Sequence, residues 1–407
     1  MLVSIAWQSL KARRKTVMLT FISLLISLTV LLSVEHIRSQ AKESFNRTVS
    51  GIDMIVGAPS GQLNLLLYSV FRLGSPVNEI QYQSFINLKK HKDINWAIPI
   101  ALGDSHKGYR VLGTNNDYFN YYQYGDKQKL AFKVGQHFRG VFDAVLGAEV
   151  AKKLNYHVGD QIIIAHGIGS SSFSEHQLSP FVVSGILAPT GTPLDKTVHV
   201  TLAGIEAVHL PPAHLKQLIV HLDKVPLEQI HPKTITSVML SLKSKFSIFT
   251  LQRAINQTQD DRLMAILPGV AMTELWLLMG TVENILRVIS FLVLISSLIG
   301  LCTMLLASMQ QRASEFTVLR IIGAGPASLF LLILIEAFLL LVLSVIAAIG
   351  VISLTLWYFN GWLSAEFGLF LSTNILNQST FEILALIFGA TLVTACLPAY
   401  EAYQQAK

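Results

Sequence analysis

The stretch whose residue types and spacing carry most chemistry runs from Arg312 to Pro326, Arg-Ala-Ser-Glu-Phe-Thr-Val-Leu-Arg-Ile-Ile-Gly-Ala-Gly-Pro. On a helix, Arg312 and Glu315 stand at i, i+3 and Glu315 and Leu319 at i, i+4, so all three share one face. Arg320 lies beyond them, and Gly323, Ala324, Gly325 and Pro326 then turn the chain into a long apolar run. A short charged helix of this kind is a surface that a partner protein can grip, although composition alone favours a plain positively charged loop. Glu336 is the one charge well inside an apolar block. Counted from Pro326, a good first-turn residue, ten residues of rise put its carboxylate ~15 Å deep. A charge there costs about 2.5–3.5 kcal/mol on insertion scales, so it is expected to face protein, in coupling, in helix pairing or as a tolerated, partly hydrated group.

Other chemistries lack their residues. Gly323-Ala324-Gly325-Pro326 has no lysine to reach a phosphate, and no G-x-x-x-x-G-K-[ST] loop occurs elsewhere. There is no G-x-S-x-G elbow and no H-E-x-x-H pair. No catalytic residue, bound cofactor or metal is expected, and work at a membrane would need ATP and Mg held by a separate subunit. All 12 histidines lie between His36 and His231. His199, His209, His214, His221 and His231 recur near one another, with His166 and His176 in a Gly/Ser-rich stretch, but no spacing among them is a zinc-ligand pair and no cysteine assists. They read as ordinary surface and loop histidines. An intramembrane enzyme built on Glu336 would want a second ionisable group at its depth, and no other apolar block supplies one. The net charge of +6 gathers largely beside the apolar blocks, without a basic run interleaved with aromatics, which argues against nucleic acid.

The elements that must position these residues are mostly membrane helices. Only 14% of the 407 residues are charged, well below the quarter usual in soluble chains, and the apolar excess falls in four blocks. These are Val17–Val34, Val288–Met309, Ile321–Phe359 and Ile383–Tyr400, each near or above the ~18–20 residues that cross ~30 Å of hydrocarbon. The first is longer than a secretory apolar region, and Ser33-Val34-Glu35 is no small-residue cleavage site, so it reads as a retained anchor. Lys11, Arg13, Arg14 and Lys15 precede the first block, Arg312 and Arg320 separate the second from the third, and the 360–382 loop holds no Lys or Arg. Positive-inside bias therefore places both ends and the 311–325 segment in the cytoplasm.

The expected order follows. Residues 1–16 form an amphipathic surface helix, 17–46 the first membrane helix and its stalk, and 271–310 a second stalk and membrane helix. Residues 326–359 form the third membrane helix, 360–382 an outer loop, and 383–407 the fourth helix and tail. The 47–270 segment alternates strand-like and helical runs, giving a large two-lobed α+β domain with a β-rich lobe inserted at about 125–205. Both cysteines, Cys302 and Cys396, sit in membrane blocks, so this domain is expected to hold together by its core. Leu63–Phe71 is a strongly apolar run that reads equally as core or as a lipid-facing wall.

Arg312-x-x-Glu315-x-x-x-Leu319-Arg320-x-x-Gly323-Ala324, followed by Glu336, resembles the signature of the MacB/FtsX-type ABC transporter permease family, with its MacB-like and LolC/LolE-like subunits. Val145-Leu-Gly-Ala-Glu-Val-Ala-Lys-Lys-Leu-Asn-Tyr-His-Val-Gly-Asp160 and Phe181-Val-Val-Ser-Gly-Ile-Leu187 resemble the family's outer core, and Leu397-Pro-Ala-Tyr-Glu-Ala-Tyr403 the stretch after its last membrane helix. Two departures stand out: the fused nucleotide-binding domain of MacB is missing, and Glu401 stands where a basic residue is common. The resemblance implies a permease dimer, homomeric or heteromeric, bound to two ATPase subunits in a bacterial inner membrane. Arg312 to Arg320 would be the coupling helix within the 311–325 segment, and ATP-driven closure would reach the outer lobes by mechanotransmission. It also implies export or extraction of a lipoprotein, lipid, peptide or small molecule on the periplasmic side. His166, Gly167, Gly169, Phe173 and His176 lie where lipoprotein-releasing members carry a partner-recruiting hairpin. The alternative is a membrane-anchored sensor or scaffold that activates a periplasmic partner without transport.

Overall fold

The structure, a computed structural model, describes residues 2–166, 180–211, 214–215, 230–258, 261–311, 318, 321, 324–367 and 375–405. The chain divides into two compact units, one of residues 1–41, 279–362 and 371–407, the other of residues 42–278 and 363–370. In chain order the helices are α1 (Leu2–Ala12), α2 (Arg14–Thr48), α3 (Gln62–Leu66), α4 (Tyr82–Lys89), α5 (Asp117–Tyr121), α6 (Ala148–Leu154), α7 (Leu202–Val208), α8 (Ile248–Asn256), α9 (Pro268–Gln311), α10 (Pro326–Phe367) and α11 (Gln378–Gln405). The main strands are β1 (Met54–Gly57), β2 (Ile94–His106), β3 (Tyr109–Thr114), β4 (Phe132–Gly135), β5 (Asp143–Leu146), β6 (Phe181–Leu187), β7 (Thr197–Thr201), β8 (Ser237–Leu242) and β9 (Met264–Ile266).

Four helices, α2, α9, α10 and α11, are long and apolar enough to cross a membrane, as their blocks require. Their ends differ from the expected ones. α10 continues through Phe367, because Asn360–Phe367 contains no proline, and α11 starts at Gln378 rather than 383. Asn377 explains that start: its Oδ1 accepts from the Thr380 backbone N–H at 2.9 Å, satisfying one of the donors a helix start leaves open. The outer loop is therefore shorter than residues 360–382. Pro268, a residue whose missing N–H suits a first turn, opens α9 three residues before the expected stalk.

The second unit is built on one mixed sheet in the order β9-β1-β8-β2-β3-β7-β5-β6-β4. Two pairings are parallel, β3 with β7 and β5 with β6, and the rest along this path are antiparallel. The 13-residue β2 is the shared member: Ile94–Ile100 pairs with β8, and Ala101–His106 with β3. The β-rich half thus begins at β2 and β3, earlier than residue 125, because β3 is held between β2 and β7. One core gathers Ile55, Ile98, Met239 and Ile266 with Tyr118, Tyr122 and Phe138. A second packs α4 and α8 through Phe85, Leu88, Leu251 and Ile255, and a third fills the far half around Val111, Leu146, Phe181 and Val198. The apolar run at 63–71 belongs to the first core. Leu65, Leu66, Tyr68, Val70 and Phe71 are buried there across α3 and the π-helical turn Leu67–Phe71, so this run is core and not a lipid-facing wall.

Candidate coupling site in the helical unit

Three tiers of polar contacts tie the helical unit together. At the start of α2, Arg13 donates from its guanidinium to Glu336 Oε2 of α10 at 3.0 Å and to Ser9 Oγ of α1 at 2.7 Å. Glu336 is 1% exposed and Arg13 14%, so this is a buried ion pair. α1 is placed to support it because its stripe of Ala6, Ser9 and Leu10 is buried while Trp7 stays exposed. Midway along, Ser27 and Ser23 meet Ser297 of α9, hydroxyl to hydroxyl, with Ser23 at 3.3 Å. Small residues of this kind let helix backbones approach closely. Further along, Arg38 Nε donates to Glu283 Oε2 at 2.8 Å and another of its nitrogens to Glu35 Oε1 at 2.8 Å, while Arg287 reaches Glu35 Oε2 at 3.3 Å. Partner numbers on α9 fall from 297 to 287 to 283 as those on α2 rise from 23 to 35 to 38, the register of an antiparallel pair.

Arg13 was not legible as a partner for Glu336. It lies outside every apolar block and 323 residues away in sequence. The carboxylate lies within an arginine's reach of the first turn of α2. Arg13, the ionisable group paired with Glu336 here, is a guanidinium, which stays charged and pairs rather than exchanging protons.

Of the other expected site residues, Ala324 lies just before α10 and is partly exposed, whereas Arg312, Glu315, Leu319, Arg320 and Gly323 lie outside the described residues. His166 ends a short bridge in which it faces Asp104 of β2, and Gly167, Gly169, Phe173 and His176 lie outside the described residues, as does His221. The described histidines are dispersed. His199 is fully buried beside Tyr118 and Phe119, with Nδ1 3.1 Å from the Val145 carbonyl oxygen. Burial, and then the Arg72 guanidinium, hold it down to about 3. His106 is likewise lowered by burial, with Nδ1 2.6 Å from the Ile163 carbonyl oxygen and Nε2 3.0 Å from the Tyr156 hydroxyl. His231 stacks on Tyr82 with ring centroids 4.1 Å apart. Among the described residues no three of His, Cys, Asp and Glu gather in a metal-binding group.

The Val145–Asp160 motif has a physical reading. After β5, Gly147 passes under the backbone carbonyls of Leu194 and Asp195, where a Cβ would overlap them. Asn155 then ends α6 in the left-handed conformation, φ 53°, which asparagine tolerates. Asp160 closes the turn by accepting from the His157 backbone N–H at 2.7 Å.

Two family models match the chain, the MacB-like periplasmic core domain over residues 16–258 and the FtsX-like permease C-terminal region over residues 287–407. The chain belongs to the MacB/FtsX-type ABC transporter permease family. Two solved structures are similar to the permease's outer part. The periplasmic region of MacB from Actinobacillus actinomycetemcomitans is 12% identical, covers 57% of this chain and 97% of its own, and superposes with a TM-score of 0.36. The extracellular domain of the noncanonic ABC-type transporter YknZ from Gram-positive bacteria is 14% identical, covers 53% of this chain and 98% of its own, with a TM-score of 0.30. At these scores neither adds to what the family models establish. A search of curated proteins gives no match. The permease is thus a multi-pass ABC transporter membrane subunit with a MacB-like periplasmic-type domain between its first and second membrane helices.

Proposed function

We propose that this permease works in a bacterial inner membrane by mechanotransmission, with ATP hydrolysed on a separate pair of subunits and a second permease completing the transporter. The observation that carries this reading is the pairing of α2 with α9. They hold 35 and 44 residues, roughly 52 and 66 Å at 1.5 Å per residue, against the ~30 Å that hydrocarbon requires. Both run without a proline break past their apolar blocks, and the serine and ion-pair tiers hold them in one register. A pair of long helices that cannot slide past each other is suited to carrying displacement along its length. Residues Arg312 to Ala324 would receive the stroke of the motor, and Glu336 with Arg13 would pass it from α10 to α1 and α2. The cargo would be a lipoprotein, lipid, peptide or small molecule handled on the outer side. The segment from His166 to His176 would meet an outer partner, and the exposed apolar face of α9, including Phe291 and Leu292, would meet lipid.

The test is co-purification with the cognate ATPase under mild detergent, in wild type and in Glu315→Arg. Wild type should bring down an ATPase pair with vanadate-sensitive turnover. Glu315→Arg should lose binding or stimulation while the outer domain keeps its protease resistance. Normal motor binding and turnover in the variant would remove residues 312–324 from the mechanism.

A further inference from the structure

We propose that the outer unit carries a lipid-docking tip, Phe246 and Phe249 ringed by cations, that settles on the anionic headgroups of the leaflet on its own side of the membrane. Phe246 is 99% exposed and Phe249 72%. The core uses neither ring. α8 turns Leu251 and Ile255 into the second core, and Phe249 stands on the opposite side of the helix with Arg253, one turn further on. Two bare phenyl rings in water forgo the stabilisation that burial brings, and exposed apolar patches mark contact surfaces.

The surround is basic. Lys245 adjoins Phe246, and Lys243 Nζ donates to the Lys92 carbonyl oxygen at 2.8 Å, which brings Lys92 alongside. The acids at this end are already engaged. Asp53 accepts from Ser241 Oγ at 2.9 Å and from the Leu242 backbone N–H at 2.8 Å, and Asp93 lies 3.9 Å from His91. Among the described residues Lys92, Lys243, Lys245 and Arg253 make no ion pair. Aromatic rings set between lysines and an arginine suit an anionic lipid boundary, with rings at headgroup level and cations on phosphates. Position favours lipid over a soluble acidic partner. Leu242 ends β8 against Asp53, the residue that leads from α2 into β1, and β9 pairs with β1 before running into α9 at Pro268. The tip therefore leaves the sheet at the end from which both membrane helices depart. Val34 and Thr48 are about 21 Å apart along α2 at 1.5 Å per residue, headgroups fill ~5–7 Å of that, and a lean of the unit closes the remainder. Because the tip is tethered beside the lipid at high effective concentration, a weak contact suffices.

The experiment uses the full chain in phospholipid nanodiscs, with Cys302 and Cys396 replaced. An apolar nitroxide is placed on Phe246→Cys, where it stands in for the ring, or on Gln257→Cys at the far end of α8. Power saturation by oxygen reports lipid, and by a nickel chelate water. In discs containing phosphatidylglycerol, the label at 246 should gain oxygen collisions and lose nickel collisions relative to the label at 257. Discs of phosphatidylcholine alone should weaken that protection. Lys243→Glu with Lys245→Glu, in a preparation whose outer domain keeps its protease resistance, should lower the contact equilibrium about 10-fold or more. Should that pair fail to fold, about 1 M salt, which shortens the screening length to ~3 Å, should produce the same loss with the lysines in place. Equal nickel access at 246 and 257 in the anionic discs overturns the proposal. Protection that ignores lipid charge, charge reversal and salt also overturns it, and assigns the cover to a second copy of the chain or to another protein. These readouts need neither motor nor cargo, so the tip stands or falls apart from the transport reading.

Discussion

Replacing Arg13 by methionine while leaving Glu336 in place should be among the most damaging single changes in the helical unit. At 3.0 Å and an effective dielectric constant of about 20, the gross attraction is ~5.5 kcal/mol, and removing one partner of a buried pair typically costs about 3–5 kcal/mol. The two partners are not equivalent. Glu336 is 1% exposed on a short stem, so the carboxylate that Arg13→Met leaves behind cannot reach water. Arg13 is 14% exposed on a long flexible stem, so in Glu336→Gln the guanidinium can swing outward and keep part of its hydration. The expected order of loss is therefore Arg13→Met at about 3–5 kcal/mol, then Glu336→Gln at roughly half that. The double variant should be more stable than Arg13→Met alone, because the buried carboxylate that lost its guanidinium is gone with it. Reversible unfolding of the full chain in bicelles, read by helical circular dichroism over a denaturing-detergent titration, gives the four corners of the cycle. Equal losses in the two single variants, or additive losses in the double, would refute the buried-pair account. Turnover with the ATPase, measured on variants that stay folded, then reports whether the pair also carries motion.

Two further outcomes follow from the described contacts and from charge bias. The folded-state value of His199, about 3, lies below the ~6.5 of an exposed histidine, so its contribution to stability is complete above pH ~6.5 and is lost as pH falls from there towards 3. Unfolding of the outer domain followed by tryptophan fluorescence should show about 1.4 kcal/mol less stability from this group at pH 5.5 than at pH 8; His199→Gln should remove that part of the slope and leave the part due to His106, and an unchanged slope would rule His199 out. In a chain with Cys302 and Cys396 replaced, a cysteine at position 372 should label from outside and one at position 313 only after permeabilisation, while outside labelling at 313 would overturn the orientation.

Much of the architecture could be read in the sequence where a local signal sets it. The membrane helices announce themselves by unbroken apolar blocks, and β2, β3, β6, β7 and β8 by β-branched runs between turn residues. The signals that failed were those decided at a distance. Arg13 is an ordinary flanking cation until α10 brings Glu336 to it. Leu63–Phe71 has the same composition as a lipid-facing wall, and only the cluster around Tyr68 and Phe71 makes it core. Hydropathy does not set the extent of α10, because it falls after Phe359 although no proline follows to end the helix, and the Asn377 cap depends on a three-residue hydrogen bond rather than on hydropathy. His199 reads as one of several scattered histidines, yet its aromatic cage gives it the most strongly lowered proton affinity among the described ones.

The matched register of α2 and α9 also bears on how such chains can change length over generations. One residue inserted in α2 between Ser27 and Glu35 would turn everything beyond it by about 100°, swinging Glu35 and Arg38 away from Arg287 and Glu283 while leaving the serine tier in place. Compensation would need an insertion of matching rotation in α9 between Arg287 and Ser297. Length variation in these two rods should therefore arise as paired, turn-sized steps, with single-residue gains and losses confined to the hairpins of the outer sheet.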